Sequence, residues 1–278
     1  MIGSIFSFTA MAVAARAVSF EMDTFEIMMY RSLLGVIVVV SVATLAGTRR
    51  QISTRSLGTQ LVRNVFHFTG QNLWLFAVTV VPLAQVFALE FTLPIWVMFM
   101  AVIVLGERLT TTRVMTALIG FCGILIVTRP WSIGISTGII AAALAAIGFA
   151  ASAVFTRLLT RTETITCIMF WLTAMQLVFG VICAGYDGDI AVPSAGSVPW
   201  LVVIGLAGLI AHFCLTTALS LAPAAVVVPI DFVRLPLIAA VGFFLYNEPL
   251  EPPVLLGAII IFAATYYNIR VEARNSAA

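Results

Sequence analysis

The sequence predicts an all-α integral membrane protein of ten transmembrane helices, built as two inverted five-helix repeats. Three observations predict it. Of 278 residues, 62% are hydrophobic and 9% charged, with a mean hydropathy of +1.14, whereas soluble domains average about 45–50% apolar and about 25% charged. Apolar runs long enough to cross a bilayer recur along the whole chain. One of them, residues 82–109 (PLAQVFALEFTLPIWVMFMAVIVLGERL), returns 141 positions later as residues 223–250 (PAAVVVPIDFVRLPLIAAVGFFLYNEPL), with no gap.

A spanning helix needs about 20 mostly apolar residues. That window places spans at 2–19, 24–46, 59–79, 82–105, 111–128, 137–156, 164–185, 199–220, 223–246 and 253–270. The first run is followed by nine more, so it is read as a span and not as a removable signal. The longest connections, Gly47–Gly58 and Tyr186–Pro199, are polar and turn-rich. No segment has the composition of a soluble domain. All 14 basic residues are arginine, and their placement sets the expected orientation. With both termini in the cytoplasm, Arg49, Arg50, Arg55, Arg63, Arg108, Arg113, Arg157, Arg161, Arg270 and Arg274 sit at cytoplasmic ends and Arg129 in an outer loop. Glu21, Asp23, Asp187, Asp189, Glu248 and Glu251 then fall outside. The expected location is the inner (plasma) membrane.

The echo covers more than one stretch. At the same offset Phe8 matches Phe149, Arg16 matches Arg157, Glu90 matches Asp231 and Glu107 matches Glu248. The expected halves are residues 1–133 and 134–278. Each contains five spans, an odd number, so the second must cross the membrane inverted relative to the first. Inverted repeats can pack in two nearly equivalent ways, one open to each side, which favours alternating access.

Glu90 and Asp231 lie near the middle of their spans, where a charge costs at least about 2.5–3.5 kcal/mol unless it is paired, hydrated or used. Either could take up a proton or hold a cationic group of a substrate. The structural alternative is a static ion pair, for which Arg31 stands at the depth of Glu90 and Arg234 one turn from Asp231. Pro94 denies the carbonyl of Glu90 its helical donor, and Pro236 does the same to Phe232, with Pro229 adding a further break. Loose carbonyls at that depth suit helices that border a wet cavity. Asn64, His67, Gln71 and Trp74 fall within an arc of about 80° at 100° per residue, and this polar face should look into the cavity, with Trp74 as an aromatic plate. His212 aligns with Gln71; its face carries Gly205 and Gly208, read as a helix-packing surface, and for His212 both packing and binding stay open. Glu107 and Glu248 are read as structural, each satisfying the N-terminus of the span that follows it, where Pro252 and Pro253 suit a first helical turn.

The blocks VPLAQVFALEFTLPIW, LGERL and GFCGILIVTRP, with LAPAAVVVPIDF, YNEPL and GAIIIFAA in the second half, resemble the drug/metabolite transporter superfamily, specifically its EamA family. The resemblance spans essentially the whole chain. It implies a secondary transporter of small organic metabolites with its site between the halves, and relatives of this type include amino-acid exporters and carriers for riboflavin or S-adenosylmethionine. The charged centre favours a charged or zwitterionic substrate, with proton-coupled export as the leading reading and uptake of a vitamin- or cofactor-like metabolite as the alternative.

Other classes have less support. There is no HExxH or GxSxG motif for a hydrolase, and no lysine for a retinal Schiff base. The four cysteines show no metal or disulfide spacing. His67 and His212 could in principle be axial ligands of a haem, a remote alternative, and a channel would have less use for prolines beside buried acids. The expected partners are a small metabolite and the lipid bilayer. No cofactor, metal or nucleic acid is expected, and monomer and homodimer are both compatible.

Overall fold

In lipid every backbone polar group must be satisfied within the protein, so apolar runs of spanning length become helices. The structure, a computed structural model, describes residues 1–106, 110–129, 136–186, 188–249 and 252–277. The helices are α1 (Ile2–Val18), α2 (Thr24–Leu45), α3 (Leu57–Val80), α4 (Leu83–Glu90), α5 (Leu93–Leu105), α6 (Thr111–Thr128), α7 (Thr137–Leu159), α8 (Ile165–Ala184), α9 (Val198–Leu221), α10 (Ala224–Val227), α11 (Arg234–Tyr246) and α12 (Pro252–Ala277). They form ten spans, the fourth made of α4 and α5, and the ninth of α10, the 3-10 segment Val228–Val233, and α11. Each expected run is helical, with ends within three residues of the expected ones except in the tenth, whose helix runs to Ala277, seven residues beyond the expected 270.

Polar residues at the boundaries account for several starts. Asp23 accepts the Glu26 N–H at 2.8 Å while Glu26 accepts the Asp23 N–H at 2.9 Å, a capping box that begins α2. Thr164 and Ser136 cap α8 and α7 through their hydroxyls. Gly106, with φ at 69°, ends α5 in the left-handed conformation that glycine adopts without strain.

Helix pairing follows the repeat. α3 lies along α7, and their counterparts α9 and α1 lie along each other. α2 with α8, and α6 with α12, each join a helix to its own counterpart, and the fourth and ninth spans meet through α4 and α11. A two-fold relation between the halves requires both kinds of pairing. The expected boundary, between residues 133 and 134, lies outside the described residues.

The radial distribution of polarity is that of a membrane protein. Leu45, Ile103, Leu221 and Phe244 are largely exposed, while Arg63, Asn64, His67 and Arg234 are buried. Where α3 crosses α7 the backbones nearly touch. A Cβ added at Gly148 would lie 2.9 Å from the Phe66 carbonyl oxygen and 3.0 Å from the Gly70 Cα. Small residues make such contacts possible, because lipid supplies no hydrophobic drive for helix association. Gly148→Val is therefore expected to destabilise the protein by about 1–3 kcal/mol through overpacking. Thermal unfolding in detergent would show it, and an unchanged midpoint would mean that the two helices can part without cost.

Candidate functional site

The two broken spans meet at the centre. Glu90 is the last residue of α4, Asp231 sits in the 3-10 segment, and Arg234 opens α11. Both breaks fall where the prolines placed them. One Arg234 nitrogen, Nη2, donates to Glu90 Oε1 at 2.5 Å and to Asp231 Oδ2 at 2.5 Å. Trp74 Nε1 donates to the other Glu90 oxygen at 2.8 Å. Thus a single cation serves two carboxylates, one from each repeat. Asp231 Oδ1 has no hydrogen-bond partner among the described residues. The guanidinium of Arg234 also lies 5.0 Å from the ring centre of Phe8 and 4.8 Å from that of Phe87, faces that attract a cation.

Arg31, the partner expected at the depth of Glu90, is not part of this cluster. It is buried beside Gly208, where an added Cβ would lie 2.9 Å from its Nε, and its Nη1 contacts Met28 Sδ at 3.3 Å. Gly208 thus makes room for a guanidinium, and Gly205 for Leu34, so the glycine face of α9 packs on α2 as its small residues suggested.

The polar face of α3 divides. His67, Gln71 and Trp74 line one central cavity together with Glu90, Asp231, Arg234 and His212. Asn64 does not line it. Its side-chain nitrogen donates to the Gln60 and Trp171 carbonyls, and Gln176 Nε2 donates to its Oδ1 at 3.1 Å, which ties α3 to α8. The helix rotation explains this: Asn64 is at one edge of the arc, about 80° from Trp74 at 100° per residue. Arg63, only about 20° beyond Trp74 on the other side, faces the cavity instead. Its angular position was available from the sequence, but its nearness to a helix start had marked it as an orienting charge.

Trp74 is 2% exposed and spends its N–H on Glu90, so it positions the carboxylate as well as lining the cavity. His67 and His212, the two histidines of the chain, meet edge to face with ring centres 4.7 Å apart. That spacing leaves no room between them for the planar macrocycle that an axial pair of haem ligands requires. Each packs against one of the repeated phenylalanines, His212 on Phe8 and His67 on Phe149, at 5.5 and 5.9 Å. Phe8 and Phe149, recognised only as a repeat match, prove to be cavity walls.

Glu248 departs from its expected role. Its carboxylate accepts the Leu83 N–H at 3.0 Å, and so caps α4 of the opposite repeat; among the described residues it makes no bond to α12. It also accepts from Arg16 Nη1 at 2.6 Å. Arg16 in turn donates to the Val78 and Val81 carbonyls at the end of α3. Arg157, its repeat counterpart, donates to the Leu219 carbonyl at 2.6 Å, and Leu219 is the counterpart of Val78. The repeated arginine therefore performs a repeated task, binding the free carbonyls of the third helix of a half. Glu107, the counterpart of Glu248, lies outside the described residues.

The enclosed part of the cavity measures about 80 Å³, and the space together with its open mouth about 750 Å³. It extends from the level of Trp74 toward the end of the bundle that carries Met1, Arg63 and Thr156. Buried Val18, Val78, Val81 and Leu83, beneath the Arg16–Glu248 pair, fill the opposite end. Gln71 Nε2, His67 Nε2, His212 Nε2, Arg63 Nη1 and Asp231 Oδ1 are buried there without a protein partner. A wall of this kind offers hydrogen-bond donors, an acceptor and titratable groups to a polar ligand. Among the described residues no three histidine, cysteine or acidic side chains group as metal ligands.

The EamA-like transporter family model matches residues 1–129 and again 136–270. A riboflavin transporter of Rhizobium johnstonii is 31% identical over 77% of this chain and 71% of its own. An S-adenosylmethionine uptake transporter of Rickettsia bellii is 23% identical over 97% of this chain and 91% of its own. A solved protein crystal structure of 15% identity superposes with a TM-score of 0.73, covering 98% of both chains. With two family matches covering its two five-span halves, and its acids gathered between them, the chain belongs to the EamA-like transporter family, within the drug/metabolite transporter superfamily.

Proposed function

We propose that this multi-pass membrane protein carries a small charged or zwitterionic metabolite across the inner membrane by alternating access, and that Glu90, Asp231 and Arg234 couple the movement to protons. The observation that carries this reading is the sharing of one arginine by two carboxylates. With both acids ionised these three side chains carry one negative charge in excess, next to an Asp231 oxygen that has no partner among the described residues. A charge at that depth needs a counterpart. A proton can supply it, and so can an ammonium or sulfonium group of a substrate, but not both together. Competition for one charge makes the two ligands exchange, and an inward proton gradient then drives the metabolite outward. His67, Gln71 and His212 would contact the body of the substrate; Arg31 and Asn64 act on helix packing.

The two relatives described above favour a second reading, uptake of a cofactor-like metabolite, since one is named as an uptake carrier. With both termini in the cytoplasm the cavity extends toward the cytoplasmic side, where an exported molecule would load and an imported one leave.

Proteoliposomes distinguish these directions. Radiolabelled amino acids, nucleosides, riboflavin, S-adenosylmethionine and quaternary amines should be screened with the pH gradient imposed in each sense. Exchange predicts that at least one compound moves against the proton flow and stops when the gradient is collapsed. Movement of a compound along the proton flow would replace export by uptake. Transport indifferent to pH in both senses would remove the proton from the mechanism.

A further inference from the structure

Arg63 is a cavity cation that forms no ion pair with a carboxylate among the described residues. It lies on α3 in its second turn and is 1% exposed. Its Nε donates to Thr156 Oγ1 at 3.0 Å, and that hydroxyl donates onward to the Ser152 carbonyl at 2.7 Å. The side chain is thus held by one edge. Its Nη1 is buried, without a protein partner, on the cavity wall.

Pinning α3 to α7 uses only the Nε–H of Arg63, a single donor that a neutral side chain could supply. Removing a cation from water costs several kcal/mol unless an anion compensates. Among the described residues no acidic side chain pairs with Arg63, and the titratable groups that feel its charge, His67 and His212, add no negative charge. Across the cavity the two acids are hydrogen-bonded to Arg234, and neither forms an ion pair with Arg63. From Trp74, which touches Glu90, to Arg63 is eleven residues along α3, or about 16 Å at 1.5 Å per residue.

We infer that Arg63 is the seat for an oxyanion, a carboxylate or phosphate, of the transported molecule. This deepens the carrier reading by naming the substrate class. The molecule is charge-separated: its cationic or donor end lies at Glu90 and Asp231, its oxyanion at the Arg63 Nη edge, and its body passes the rings of His67 and Phe149. Guanidinium is suited to this, because its planar fork meets a carboxylate or phosphate through two parallel hydrogen bonds.

The test reads Arg63 directly. The full chain in lipid nanodiscs is treated with the arginine reagent phenylglyoxal, and modification of each arginine is followed by peptide mass spectrometry. Parallel arms contain sodium phosphate, sodium acetate or sodium chloride at equal ionic strength. Arg63 is expected to react in chloride and to be protected by phosphate and acetate, about ten-fold when the oxyanion is present at about ten times its Kd. Exposed Arg49 should react alike in all arms. In Thr156→Val, which keeps the cation but releases its anchored edge, protection should weaken. Failure of Arg63 to react in any arm, or reaction at one rate in all three, would overturn the assignment. Because this readout involves no transport, it can fail while proton coupling at Glu90 and Asp231 stands, and the converse also holds.

Discussion

Glu90→Gln is expected to lower transport about 10- to 150-fold, the equivalent of the 1.5–3 kcal/mol carried by a hydrogen bond to a charged group. The substitution keeps the shape of the side chain and an oxygen for Trp74 or Arg234, but removes the charge that puts the cluster one negative in excess. With only Asp231 left to balance Arg234, the site has no demand for a proton or a substrate cation. Asp231→Asn removes the same charge from the carboxylate whose Oδ1 has no partner, so its transport should lose its dependence on pH more completely. Initial rates in proteoliposomes, with folding checked by gel filtration, would measure both. Full, pH-dependent transport by a folded Glu90→Gln protein would reduce the carboxylate to a packing group, the static pair that the sequence also allowed.

Arg234→Met should act on stability before it acts on transport. Arg234 is 2% exposed, and both of its partners belong to the wall of the cavity. Its removal leaves two carboxylates facing each other in an apolar surround. Breaking a buried ion pair from one side costs about 3–5 kcal/mol, whereas replacing all of its charges together is often nearly neutral. The single variant is therefore expected to unfold at a clearly lower temperature in detergent. The triple variant Arg234→Met, Glu90→Gln, Asp231→Asn should recover most of that loss while remaining inactive. A single variant as stable as the parent would mean that water already screens the cluster.

Much of the fold was legible because a bilayer imposes a length. Ten apolar runs could be counted, and the odd number in each repeat required inversion. The helix breaks were legible too, since Pro94 and Pro236 remove donors beside the acids. The site was less so, because depth along a helix is a weak guide to which side chains meet. Arg31 has the depth of Glu90 but faces Gly208, and rotation about α3 takes Asn64 out of the cavity and brings Arg63 in. The role of Glu248 depends on α4 of the other half, a contact between residues 165 apart in sequence that no local pattern encodes.

The position equivalent to Arg234 in the first repeat is Leu93, an apolar residue on the same cavity wall. Two identical subunits facing each other would place a pair of guanidiniums at the centre, or none. An odd charge count is thus available only where the two halves differ in sequence, as the diverged repeats of this chain do. Divergence permits a lopsided centre, in which the inward- and outward-facing forms need not be isoenergetic.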